Sequence, residues 1–276
     1  VIAPGTVRMD WEFSMRLTKH HGLGNDFLVG LVDQAPHALA SFAREICDRR
    51  TGIGADGLVL GLPGNNGADL TMLLHNSDGS IAEMSGNGIR CLAQAHAMAY
   101  GTGATSLEID TTGGRRRVEI DTDGTHAEAS VNMGPVGPGP GVDDRILAET
   151  AGSLIGTADL GNPHLVVVVD DLAAVDIGEL GARYGALYPQ GINVECVAAD
   201  PNDTDNLDML VWERGAGVTQ ACGTGATAAA VRAHQWGLVK QHVNVRMPGG
   251  EVQVVANEHP LLIGPTVYVA SIELPI

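Results

Sequence analysis

The sequence predicts an α+β fold of two pseudo-symmetric lobes, each a curled, mainly antiparallel sheet around a central helix. Three observations lead there. Ser85-Gly86-Asn87-Gly88, entering an apolar run, returns 137 positions later as Cys222-Gly223-Thr224-Gly225, entering a second such run. The same offset relates Leu23-Gly24-Asn25 to Leu160-Gly161-Asn162, and Leu70, Met72 and Leu73 to Leu207, Met209 and Leu210, as expected of two copies of one domain. Finally, short strand-like runs dominate, while each half holds one alanine-rich stretch small enough to sit inside a curled sheet.

Taken in order, residues 1–14 have no repeat partner and read as an N-terminal extension. An N-terminal lobe follows over 15–133, joined by the C-terminal strand 263–276, and a C-terminal lobe spans 134–262. Runs rich in leucine and β-branched residues at 27–32, 70–74, 165–169 and 243–245 are bounded by Gly, Asn, Asp or Pro and predict strands. The stretches 38–48, 88–98, 172–187 and 226–235 predict helices, with Gly101 and Gly237 ending the two alanine-rich ones. Pro135, Pro138 and Pro140 break the segment 134–141, which reads as a connector and hinge between the lobes. Arg115-Arg116-Arg117 precedes an alternating pattern and predicts a solvated strand face rather than an anion site.

Composition narrows the function. The 276 residues are 44% hydrophobic and 18% charged, with no apolar run near the roughly 20 residues of a membrane span and no signal-peptide pattern, so a cytoplasmic protein is expected. Sixteen basic residues against thirty-three acidic ones give a formal charge of −17, which opposes nucleic acid and anionic lipid as partners. The four cysteines form no CxxC pair and have no histidine at metal-ligand spacing, so neither zinc nor a disulfide framework is indicated. Three of them, Cys47, Cys91 and Cys196, fit small buried hydrophobes.

The repeated glycine motif carries the chemistry. The first amides of a helix lack intrahelical partners and its dipole adds about half a positive charge there, so two facing copies suit one small carboxylate. Glycine lets the backbone approach it closely. Ser85 and Cys222 would stand at the two helix mouths, where a thiol is expected to ionise more readily. Groups on opposite faces of one carbon are what inversion of a stereocentre requires: one removes the proton, the other returns one. Neither copy has the GxGxxG spacing of a dinucleotide site, since position 91 is Cys91, and no lysine motif for pyridoxal phosphate is present; no cofactor is expected.

These motifs resemble the diaminopimelate epimerase family from Met15 onward. The resemblance rests on His21-Gly22-Leu23-Gly24-Asn25-Asp26-Phe27, Gly52-Ile53-Gly54-Ala55-Asp56-Gly57, Asn76-Ser77-Asp78-Gly79-Ser80, Gly161-Asn162-Pro163-His164, and Trp212-Glu213-Arg214-Gly215-Ala216-Gly217 leading to Thr219-Gln220-Ala221-Cys222-Gly223. It implies a cofactor-independent epimerase interconverting LL- and meso-2,6-diaminopimelate, and a homodimer. Carried over by position, Cys222 is the second catalytic cysteine. Asn25, Asn76, Gly86, Asn87, Asn162, Asn193, Glu213, Arg214, Gly223 and Thr224 bind substrate, and Glu213 and His164 bias the protonation of the acid/base pair. Ser85 departs from the family, which has its first catalytic cysteine there. Cys91 does not replace it, having Ala228 as counterpart and lying nearly two turns down the helix. Serine is a far weaker acid than cysteine, so two-base turnover is expected to be impaired. The competing readings are a racemase of another amino acid, a substrate-binding homologue without turnover, and a cysteine hydrolase with His164 as base.

Overall fold

The computed structural model describes residues 15–150 and 152–274. The extension expected over 1–14, and the last two residues of the expected strand 263–276, lie outside them. The N-terminal half runs β1 (Arg16–Gly22), β2 (Asn25–Leu31), α1 (Leu39–Cys47), β3 (Gly57–Pro63), β4 (Leu70–Asn76), α2 (Gly86–Tyr100), β5 (Ala104–Thr111), β6 (Gly114–Thr122) and β7 (His126–Asn132). After a short helix α3 (Asp144–Glu149), the series recurs. It runs β8 (Ile155–Asp159), β9 (Pro163–Val168), α4 (Ile177–Gly185), β10 (Asn193–Asp200), β11 (Asp203–Glu213), β12 (Gly217–Thr219), α5 (Gly223–Gln235), β13 (His242–Met247), β14 (Gly250–Val255) and β15 (Leu261–Glu273).

One 15-stranded sheet joins the halves, in the order β1-β2-β3-β4-β5-β6-β7-β15-β14-β13-β11-β10-β9-β8, with β12 attached to β11. The order mirrors itself about the antiparallel β7–β15 pair, as an approximate two-fold requires. Most pairs are antiparallel; β2–β3, β4–β5, β9–β10 and β11–β13 are parallel. From Val267 onward β15 leaves β7 and pairs with β1, closing the N-terminal strands into a ring around α2. Inside the sheet, α2 and α5 share a single apolar core, while α1 and α4 cover smaller clusters. Among the described residues, no helix is long and apolar enough to cross a membrane.

Two expectations are corrected. The helix expected over 172–187 is split: Asp171 caps a 3-10 turn at Leu172–Ala174, Val175 is extended, and Asp176 caps α4 anew. Two aspartates five residues apart offer competing helix starts, and both are used. The arginine run is only partly solvated. Arg115 and Arg117 pair with Asp110 and Glu119 on the outside, whereas strand alternation turns Arg116 inward to donate to the carbonyls of Gly113 and Arg115. The segment 134–141 is hydrogen-bonded to the C-terminal half. Gly137 exchanges both backbone hydrogen bonds with Asp159, and the Pro138 carbonyl accepts from Thr157 and Arg232.

The two central helices meet end to end. Ser85 and Cys222 are their N-caps, in matching extended conformations (φ −140°, ψ 119° and φ −131°, ψ 116°), and each side chain accepts the amide three residues on. A Cβ on Gly86 would fall 3.1 Å from the Gly223 Cα, and one on Gly223 would fall 3.0 Å from the Gly86 Cα. Leu262 Cδ2 would lie 2.6 and 2.8 Å from the same two positions, so one fully buried leucine wedges both helix starts. Gly223→Ala is therefore expected to destabilise the chain by about 1–3 kcal/mol in urea unfolding. Leu262→Ala should cost about 2–5 kcal/mol. A Gly223→Ala chain as stable as the parent would mean that the helix ends do not touch.

Candidate active site

The junction of α2 and α5 forms the floor of a cleft of about 790 Å³ with walls from both halves. Asn25, Asn76, Ser85, Gly86 and Asn87 line it from the N-terminal side; Asn162, Asn193, Glu213, Arg214, Cys222, Gly223 and Thr224 line it from the C-terminal side. His164 is absent from the lining and lies behind Asn162. At each mouth the cap side chain and cap carbonyl take the third and fourth amides, to Gly88 and Ile89 in α2 and to Gly225 and Ala226 in α5. The first two amides of each helix, those of Gly86 and Asn87 and of Gly223 and Thr224, have no intrahelical acceptor.

Polar networks fix the mouths, and they differ. On the N-terminal side Asn87 Nδ2 donates to Asn25 Oδ1 (3.0 Å) and, across the junction, to the Ala221 carbonyl (3.2 Å). Asn87 Oδ1 accepts from Arg90 Nη2 at 2.8 Å, and Asn25 Nδ2 donates to Asp56 at 2.8 Å. Arg90 is fully buried; burial lowers its guanidinium to about 10, and it stays a cation at neutral pH. On the C-terminal side Asn162 Nδ2 donates to Thr224 Oγ1 (3.3 Å), Asn162 Oδ1 lies 3.1 Å from His164 Nε2, and His164 Nδ1 lies 2.7 Å from Glu195. Asn193 uses both ends of its amide on backbone, donating to the Pro163 carbonyl and accepting from the Arg214 amide. Asn76 donates to Ser80, and Arg214 reaches across the cleft to Glu83 at 3.6 Å.

The expected ease of ionisation at Cys222 is corrected. Burial, then the carboxylates of Glu213 and Glu195, push the thiol well above its usual range, outweighing the hydrogen bonds from Thr224 and Gly225. A helix dipole supplies only about half a charge, and two nearby anions in a dry site exceed it. Burial also raises the Glu213 carboxyl, against hydrogen bonds from Thr219 (2.5 Å) and Cys222. The thiol is the resting form. Burial lifts Cys47, Cys91 and Cys196 to about 12, 11 and 12, consistent with inert packing residues. Neither nitrogen of His164 faces Cys222, since Glu195 and Asn162 take them, and this removes the base that the hydrolase reading needs. Among the described residues no group of three His, Cys, Asp or Glu side chains is placed to hold a metal ion.

Sequence reasoning missed Arg90 and Glu195. Each was visible as a charge inside an otherwise apolar stretch: Arg90 on the central helix, Glu195 between Val194 and Cys196 on β10.

Comparison with known proteins bears on this arrangement. The fold is shared with a hydroxyproline epimerase from Agrobacterium vitis (TM-score 0.69, 18% identity, 96% of this chain and 93% of that one). A phenazine biosynthesis protein of the PhzF family from Bacillus anthracis is similar again (TM-score 0.71, 15% identity, 96% and 100%). In sequence, the chain is 42% identical over 258 residues to the diaminopimelate epimerase of Desulforudis audaxviator, covering 86% of this chain and 89% of the relative. It is 39% identical over 267 residues to that of Nostoc punctiforme, covering 89% and 93%. The profile of the diaminopimelate epimerase family matches residues 17–137 and 156–269, one stretch in each half. The chain belongs to the diaminopimelate epimerase family.

Proposed function

We propose that the chain is a cofactor-independent amino-acid epimerase acting on LL- and meso-2,6-diaminopimelate, in which Cys222 moves the α-proton on one face and Ser85, on the other, limits inversion. The observation that carries this reading is the pair of abutting helix mouths with residues 85 and 222 in one cleft. In it the α-carboxylate takes the open amides of Gly86, Asn87, Gly223 and Thr224, which stabilise the charge that spreads into the carboxylate as the proton leaves. Arg214 meets the distal carboxylate, and the asparagines hold the amino groups. Supporting features are a cleft shared by both halves and the family of the chain. Lobes of 15–133 with strand 263–274, and of 134–262, working as a cytoplasmic homodimer, belong to the same proposal.

Proton flow follows from the thiol's surroundings. Cys222 and Glu213 share one hydrogen bond, and the thiol passes its proton to the Glu213 carboxylate only when the substrate's ammonium offsets the local negative charge. The thiolate then takes the α-proton and returns a proton to the same face. A return from the opposite face would leave Ser85 as an alkoxide, which the Gly88 amide donating to its Oγ does little to stabilise. Closure is part of the reading. Ile81 and Val218, related by the repeat offset, are 66% and 53% exposed and line the same cleft from opposite halves, as two apolar lips that a bound substrate would bring together.

Three measurements test it. In deuterated water the parent chain is expected to label the α-carbon of one stereoisomer without inverting it, while Ser85→Cys raises epimerisation by at least about 100-fold; equal epimerisation by both chains would refute the serine handicap. Alkylation of Cys222 in the ligand-free chain should be slow at neutral pH and rise only at a pH well above the usual thiol range. Removing the Glu213 charge favours the thiolate, so Glu213→Gln should move that rise to lower pH by about one unit or more. Solution scattering should show a smaller radius with ligand bound, and an unchanged radius would argue against closure.

A further inference from the structure

The repeat relates Asn25 to Asn162 and Asn87 to Thr224, yet the two amides point in opposite senses. Asn25 gives Nδ2 to Asp56 and accepts with Oδ1 from Asn87; Asn162 accepts with Oδ1 at His164 and gives Nδ2 to Thr224. The cause lies one residue deeper. In the N-terminal copy the counterparts of His164 and Glu195 are Phe27 and Leu58, which are apolar.

We propose that the His164–Glu195 contact is a buried ion pair whose charge fixes the direction of the Asn162 amide, which makes Glu195 a positioning residue for the substrate-binding face. Both side chains are completely buried, with Nδ1 2.7 Å from Oε1. An acceptor faces each ring nitrogen: Glu195 at Nδ1, the Asn162 carbonyl at Nε2. A neutral imidazole has a single N–H and satisfies one of them; the doubly protonated ring satisfies both. Such a ring is stable in a dry site only beside an anion, and Glu195 is that anion. Its second oxygen has no hydrogen-bond partner, so the carboxylate depends on the ring alone. Of the other groups close by, Glu213 takes its hydrogen bonds from Thr219 and Cys222 and none from the ring. With its carbonyl held by Nε2–H, Asn162 presents its N–H groups to Thr224 and the cleft, where an anionic substrate needs donors. The inference rests on the functional reading above only in this last step.

Nitrogen NMR of histidine-labelled, ligand-free chain at neutral pH is expected to show His164 with both ring nitrogens protonated, and a bare ring nitrogen would overturn the proposal. Glu195→Gln removes the charge at nearly constant shape. The ring then keeps one proton, on Nδ1, and offers Nε2 as an acceptor, so Asn162 turns its carbonyl to the cleft. The expected result is an at least tenfold weaker Kd for diaminopimelate by calorimetry, about the loss of one hydrogen bond to a charged group, together with the appearance of a bare His164 nitrogen. An unchanged Kd, or an unchanged nitrogen spectrum in Glu195→Gln, would overturn it. If the parent chain binds no diaminopimelate, the functional reading fails, while the nitrogen signals still decide the ion pair.

Discussion

Gly86 against Gly223 is the contact on which the rest of the structure depends. Two helices can bring their N-termini to one point only if neither carries a side chain there, and the gap filled by Leu262 leaves no room for a methyl on either. From that contact follow the shared cleft, the four open amides around it, and the placing of residues 85 and 222 in its lining. The sheet serves the same end. Its strand order runs outward in mirror image from β7–β15, and β15 supplies Leu262 at that centre.

Symmetry of the backbone does not extend to charge. A buried guanidinium, Arg90, holds the N-terminal mouth, where the repeat has Thr227 on the other side. The C-terminal mouth is backed by Glu195 and flanked by Glu213. Arg90 and Glu195 are fully buried, so salt and solvent screen them far less than surface charges. Burial first, and then the two carboxylates, keep the thiol at 222 protonated although it occupies the same helix position as Ser85. One fold thus provides two mouths of one shape and opposite electrostatic character.

Much of this was legible in the residues. The offset between the glycine motifs forecast the two lobes, and cap chemistry forecast the starts of α2 and α5, because a repeat and a cap are local patterns that tertiary context rarely overrides. The split of 172–187 was missed because Asp171 and Asp176 both signal a helix start and composition cannot choose between them. Arg116 and Glu195 were missed for a different reason. Whether a charge in a strand faces water or the core depends on the register and on what lies across the sheet, neither of which a single sequence states. The same limit produced the wrong sign for Cys222: the dipole is read from the chain, whereas the burial of the thiol, and the carboxylates that arrive from β10 and β11, come from the tertiary fold.

The departure at residue 85 acquires its weight from this asymmetry. A group that must alternate between acid and base needs surroundings that tolerate both of its states. At 222 the surroundings favour the neutral state, so ionisation there waits for a positively charged partner. At the other mouth a buried cation, Arg90, donates to Asn87, two residues along α2 from Ser85, and a cation stabilises negative charge near it. Serine is the residue least able to use this, because its hydroxyl is too weak an acid to ionise even beside a buried guanidinium. The mouth capped by serine thus has a cation behind it, and the mouth capped by the thiol has carboxylates.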